Sequence, residues 1–277
     1  MKKFFLIMLA IVFIASGCHH EADVDVMTTT NPLSVITKAT VSDEVSVSSI
    51  IPQGSDYHHY EPSAKELARV YRAKYFVCVG EASEPFVKTI KANAPSSLKI
   101  IEISNYLKDN PNFDTNDPHF WLSPLASMLV MDIIKNNVSN DIGVNTNYQN
   151  NYNSLSNLSN QYQIVSDIDN QAPIIVDHDG LAYLKYNYNF NVVNIYGKNE
   201  EQEPSSQDIA NLVTMIKANN ITTIYCFEYN SHMQIVDTIK HETGVNVATL
   251  DTLLKVENFD SYLNGLTSNL EQFKNVK

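Results

Sequence analysis

The sequence predicts an α/β protein of two lobes, and three observations predict it. Short strand-like runs alternate with helical patterns along most of the chain, the order that closes into parallel sheets. The segment EPSAKELARVYRA near residue 61 is echoed by EPSSQDIANLVTMIKA from residue 203, as two similar halves would require. Between these halves, residues 145–168 place their apolar side chains on one helical face.

Taken in order, residues 45–51 (VSVSSII), 75–79 (YFVCV), 98–103 (LKIIEI), 174–176 (IIV), 192–195 (VVNI), 222–227 (TTIYCF) and 245–250 (VNVATL) read as strands. Helical patterns fall at 64–73, 84–93, 124–137, 206–219 and 232–242. Helix starts are marked. Ser63 with Glu66 forms a capping box, Ser205 with Asp208 resembles one, and Ser123-Pro124 puts a cap residue before proline at the first helical position.

The Asn/Ser/Gln-rich segment between the halves has the composition of a linker. Yet Tyr148, Tyr152, Leu155, Leu158, Tyr162 and Val165 are spaced 4, 3, 3, 4 and 3. That spacing predicts a spine helix of about five turns, stiffer than a loop, and hence modest lobe motion. The expected organisation is a signal peptide at 1–17, a tether at 18–27, an N-terminal lobe at 28–140, a linker helix at 141–170 and a C-terminal lobe at 171–277.

The first residues, MKKFFLIMLAIVFIASGC, carry two lysines, an apolar run from Phe4 to Ile14 and small residues before Cys18. This reads as a secretory signal too short for a comfortable membrane span. The small residues before Cys18 point to its lipidation, giving a lipid anchor outside the cytoplasmic membrane or in the periplasm. Without residues 1–17 the chain has 17 basic and 31 acidic residues, a net charge of −14. Nucleic acid and anionic lipid faces are thereby disfavoured, and a cation is a plausible ligand. Cys78 and Cys226 lie in apolar strand-like runs and read as buried free thiols.

The eight histidines differ in position. His58 follows strand 45–51 and precedes the helix capped by Ser63, and His119 precedes the helix capped by Ser123. His178 directly follows one strand and Asp251 another. Loops at the carboxyl ends of parallel strands line the crevice of an open sheet, so three imidazoles and a carboxylate could meet in one cleft, two from each lobe. That is a closed tetrahedral set suited to zinc. Asp56, Glu61 and Asp177 lie near these residues and could orient the imidazoles, and Glu228 sits at another strand end as a competitor for the fourth position. His59 reads as an exposed neighbour, His232 and His241 as surface residues at helix ends, and His19 and His20 as part of the tether.

On these residues the chain resembles the cluster 9 solute-binding proteins of ABC transporters, the zinc- and manganese-binding lipoproteins. The resemblance runs through TTTNPLSVI at 28–36, GSDYHHYEPS at 54–63, DPHFWLSP at 117–124, DHDGLAYL at 177–184, EEQEPSSQDIANLV at 200–213 and ETGVNVATLDTL at 242–253. It implies that His58, His119, His178 and Asp251 are the metal ligands. Histidine at the third position, where manganese-type members usually carry glutamate, favours Zn(II) over Mn(II) or iron as the transported ion. Two departures stand out: Tyr57 replaces the family's proline and loosens the first loop, and Ser123 replaces an aspartate with another good cap. The loop from Ser104 to Asp117 lacks the histidine-rich insertion of many zinc members.

The resemblance implies a monomeric binding protein that delivers its metal to an ABC permease and its ATPase, and no enzyme activity. A zinc hydrolase would need an open coordination position, and the sequence has no HExxH, no GxSxG and no GxxxxGK[ST]. Metal-binding lipoproteins also act as adhesins, but no separate feature supports that role here. Deprotonated ligands make metal retention fall in acid, below about pH 6.

Overall fold

The computed structural model describes residues 24–55, 57–169, 172–196, 203–227 and 233–274. The expectations for Cys18, His19, His20, Asp56, Glu228 and His232 therefore lie outside the described residues. The N-terminal lobe holds β1 (Val26–Thr28), β2 (Val47–Ser49), β3 (Tyr75–Cys78) and β4 (Lys99–Glu102), all parallel, in the order β2-β1-β3-β4. The C-terminal lobe holds β5 (Ile174–Val176), β6 (Val192–Asn194), β7 (Thr223–Phe227) and β8 (Asn246–Leu250), again parallel, in the order β6-β5-β7-β8.

Helices cover the sheets: α1 (Asn31–Lys38), α2 (Ala64–Arg72), α3 (Phe86–Asn93), the short α4 (Ser104–Leu107) and α5 (Pro124–Ile142) in the first half. Then come α6 (Tyr148–Asp169), α7 (Ala182–Tyr188), α8 (Ser206–Ala218), α9 (Met233–Thr243) and α10 (Phe259–Phe273). Among the described residues no helix is long and apolar enough to cross a membrane.

Strand periodicity decides where each apolar side chain goes. In β3, Tyr75 and Val77 face one core while Phe76 and Cys78 face another. In β7, Tyr225 and Phe227 face the same first core, and Ile224 and Cys226 face a third. The outer faces of the two sheets thus have separate cores, and the inner faces share one that runs through α5 and α6. Cys78 and Cys226 are buried free thiols in different outer cores, and burial pushes Cys226 up to about 12.

The spine helix α6 buries Tyr148, Leu155, Leu158, Tyr162 and Val165, with Tyr152 packed at the edge of the shared core. It begins at Tyr148, inside the segment expected as a linker, because α5 continues to Ile142 and Gly143 at φ 78 ends that run. Helix α10 returns across α6, where Tyr162 Oη donates to the Leu266 carbonyl. A strap of the C-terminal lobe is clasped by the N-terminal lobe. Asn31 Nδ2 donates to the carbonyls of Leu254 and Val256, Gln53 Nε2 to Lys255, and the Gly54 N–H to Leu254.

Five elements lay outside the sequence reading: β1, α1, α7, α10 and the short α4, which opens the stretch from Ser104 expected as a loop. β1 is only VMT, too short to show alternation. In α1 six of eight residues are buried, so no polar face marks it; its interior Thr37 is satisfied by the Leu33 carbonyl. Helix α10 starts with an Asn258 cap on Ser261 N–H, a signal that passed unread.

Candidate metal centre

The loop between β2 and α2, residues 50–63, delivers the first histidine. Its turn at Gly54 needs φ 77, and an added Cβ there would press on Lys255 at 3.2 Å. A second turn, closed by Tyr60 N–H on the Tyr57 carbonyl, puts His58 and His59 at its centre. His58 is half-buried and His59 exposed. Tyr60 Oη donates to Glu66 Oε1 at 2.6 Å, which ties the loop to the first turn of α2.

His119 opens a single 3-10 turn, His119–Leu122, just before α5. Two residues earlier, Asp117 is 3% exposed. Its Oδ1 accepts from the His119 backbone N–H at 2.9 Å and from the ring Nδ1–H at 2.6 Å. That pair fixes the ring and leaves the lone pair on Nε2. Tyr183 of α7 donates to the carbonyls of Asp114 and Asp117, holding the loop in place.

His178 follows β5. Asp177 Oδ1 accepts its backbone N–H at 2.7 Å, and the same carboxylate accepts from the Phe227 N–H at the end of β7. Gly180 is needed for close approach, since an added Cβ would lie 2.9 Å from the Phe227 ring and 3.3 Å from that of His178.

The structure brings His58, His119 and His178 together, one ligand atom of each lying within 4.8 Å of the others. Their ring centroids are 4.8 to 5.4 Å apart. Nε2 of His119 and Nε2 of His178 are 3.1 Å apart. Two nitrogens bound to one zinc at 2.0–2.1 Å in a tetrahedron are about 3.3 Å apart, so this pair has the spacing of two ligands on a shared ion. Three imidazoles suit zinc and other borderline metals better than calcium or magnesium, which prefer oxygen. The cavity over the triad, about 360 Å³, is lined by Tyr57, His58, Asp117 and His119 from one lobe and Asp179 from the other.

The other expected residues sit elsewhere. Asp251 is outside the triad's group among the described residues. Its Oδ1 accepts from the Leu253 N–H at 2.8 Å, and its Oδ2 faces Gly265 of α10. Glu61 is exposed, His241 is exposed beside Glu242, and Asp177 holds backbone N–H groups. The sequence reading missed Asp117 as the partner of His119. The signal was present in Asp-Pro-His, because a carboxylate two residues ahead reaches both backbone and ring. It also missed Tyr57, whose hydroxyl contacts His119 Nε2.

Two parallel-sheet lobes with a histidine triad drawn from both define a bilobal solute-binding protein. Residues 26–276 match the family described as zinc-uptake complex component A, periplasmic, and the chain belongs to that family. It is 28% identical to the zinc-binding lipoprotein AdcA of Streptococcus pneumoniae over 99% of this chain, and spans 61% of that relative's length. It is 27% identical to the high-affinity zinc uptake system protein ZnuA of Bacillus subtilis, covering 90% of this chain and 86% of that one. Among solved structures, the Zn(II)-bound ZnuA-like domain of Streptococcus pneumoniae AdcA matches with a TM-score of 0.72 at 26% identity, over 92% of this chain and 99% of that one. A crystal structure of ZnuA matches at 0.75 and 25% identity, with 92% and 99% covered.

Proposed function

We propose that this protein captures Zn(II) outside the cytoplasm and delivers it to a membrane permease driven by a separate ATPase. It acts as a monomer anchored through lipid on Cys18, and it carries out no reaction on its cargo. The observation that supports this reading is the triad itself, three imidazoles from two lobes with two Nε2 atoms 3.1 Å apart. His58, His119 and His178 bind the ion. Asp251 lies outside the triad's group among the described residues, with its Oδ1 on the Leu253 N–H. The relatives named for zinc support the choice of metal, as does the nitrogen-rich donor set.

The shared inner core and the clasp between lobes favour small adjustments at the cleft over a wide closure. Elemental analysis of the purified protein tests the reading. The expected result is close to one zinc per chain, lost in His119→Ala and kept in His241→Ala. Equal zinc in both variants would refute it. Competition between zinc and manganese checks the metal.

A further inference from the structure

We propose that Tyr57 is itself a metal ligand, its phenol oxygen completing the set that the three histidines begin. The proposal rests on the zinc reading above and names the donor which that reading leaves open.

The reasoning starts at His119. Its Nδ1–H is committed to Asp117, so its lone pair lies on Nε2. Two groups meet that nitrogen. One is His178 Nε2 at 3.1 Å; the other is the Tyr57 hydroxyl, in direct contact with it. A metal bound by His119 must lie along the same lone pair. It therefore arrives where the phenol oxygen already stands, and the oxygen must either leave or join the ion.

Packing favours joining. The Tyr57 ring lies 4.3 Å from the His58 ring, tilted by 32°. It meets Trp121 edge-on at 5.2 Å and His119 at 5.4 Å. Trp121 is fixed in turn, 1% exposed with its indole N–H on the Thr252 carbonyl. Swinging Tyr57 away gives up these contacts. A small recoil along the existing contact keeps the packing and opens room for the ion between oxygen and nitrogen.

The rival donor is held more firmly. Asp251 supports the N–H of Leu253, whose φ of 61 is a left-handed conformation that a branched side chain rarely adopts. Among the described residues that carboxylate lies outside the group that the three histidines form. Bound to a divalent ion, the phenol releases its proton to water in the cleft. The result is three neutral nitrogens and one anionic oxygen, the same charge count as three histidines and a carboxylate. The proline of the family pattern has no oxygen to offer here, so the donor belongs to this chain's own loop.

The test titrates Zn(II) alone into the purified protein and into Tyr57→Phe. Ultraviolet difference absorption reports tyrosinate, and competition with a chromophoric chelator reports Kd. A tyrosinate band should grow and saturate with the first equivalent of zinc in the unsubstituted protein and be missing in Tyr57→Phe. The Kd of the variant should rise by about tenfold or more. Co(II) in place of zinc should show altered visible absorption in the variant. Zinc bound at full stoichiometry without a tyrosinate band overturns the proposal, and so does an unchanged Kd in Tyr57→Phe. Weakening by Asp251→Asn where Tyr57→Phe has no effect would also overturn it. Phenylalanine keeps the ring, so an unchanged unfolding midpoint separates a lost ligand from a lost fold. Should the variant fold poorly, the band in the unsubstituted protein decides alone. Absence of stoichiometric zinc in the unsubstituted protein would instead be a failure of the zinc reading.

Discussion

The two lobes repeat one architecture and divide the chemistry unequally. Both sheets run second strand, first, third, fourth. The echoed EPS segments occupy matching places, α2 after β2 and α8 after β6, each opened by a capping box. Each lobe also uses a buried carboxylate to hold the end of its third strand. Glu84 accepts from the N–H groups of Val79 and Gly80, and Asp177 from that of Phe227. The ligands break the pattern. β1 runs on into Thr30, whose side chain caps α1, while β5 runs on into His178, which presents a ligand. The N-terminal lobe contributes His58 from the β2–α2 loop and His119 from the turn before α5. A strand end can cap a helix or hold a metal, and a duplicated frame specialises by making that choice differently in each copy.

The largest expected effect tests whether the lobes are one folding unit. Leu155 on α6 is fully buried in the core that both sheets share. Leu155→Ala should cost about 2–5 kcal/mol, and urea unfolding should keep one transition. Two transitions with one unmoved would mean that the lobes fold separately.

The second prediction turns on pH. Burial pushes Glu84 up from 4.5 to about 7, against the opposing pull of its hydrogen bonds. The folded protein keeps this proton up to about pH 7, whereas the unfolded chain releases it near 4.5. Glu84 therefore lowers stability as pH rises through that window, by roughly 3 kcal/mol in all. Unfolding midpoints of Glu84→Gln should vary less with pH across the same window than those of the unsubstituted protein. Equal pH slopes would show that the carboxyl titrates alike in both states.

The third compares the carboxylates ahead of two ligands. Asp117 bonds the His119 ring, whereas Asp177 bonds backbone N–H groups around His178. Asp117→Asn should raise the Kd for zinc by about 10–100-fold. Asp177→Asn should act first on the unfolding midpoint and less on zinc. Chelator competition and thermal unfolding on both variants would show the opposite ranking if the two carboxylates were interchangeable.

Much of this was legible in the sequence because it rests on local rules. Alternating segments marked both sheets, six apolar positions marked α6, and position beside a strand end or a capped helix marked the three histidines that meet. What was not legible depends on distant partners. Asp251 has the expected strand-end place, and the partners found there, the Leu253 N–H on its Oδ1 and Asn269 of α10 on its backbone N–H, do not show in the sequence. Tyr57 reads in sequence as a lost proline, since the ring it contacts lies 62 residues away. Helix α1 is buried nearly all round and so lacks the polar stripe by which surface helices announce themselves.

The smallest effect separates frame from chemistry most cleanly. Ser63 and Ser205 make the same cap, each accepting from the N–H three residues on. Ser63→Ala and Ser205→Ala should each cost about 1 kcal/mol. Only the N-terminal cap is coupled to a ligand, because Glu66 accepts from Ser63 N–H and from Tyr60 Oη two residues beyond His58. Loosening that box lets the β2–α2 loop sample more conformations, which zinc must then order. Zinc should bind a few-fold more weakly to Ser63→Ala and with unchanged Kd to Ser205→Ala, although unfolding midpoints fall alike. Equal zinc affinity in the two variants would show that the loop holds His58 without help from its helix, through Gly54 and the clasp at Leu254 alone.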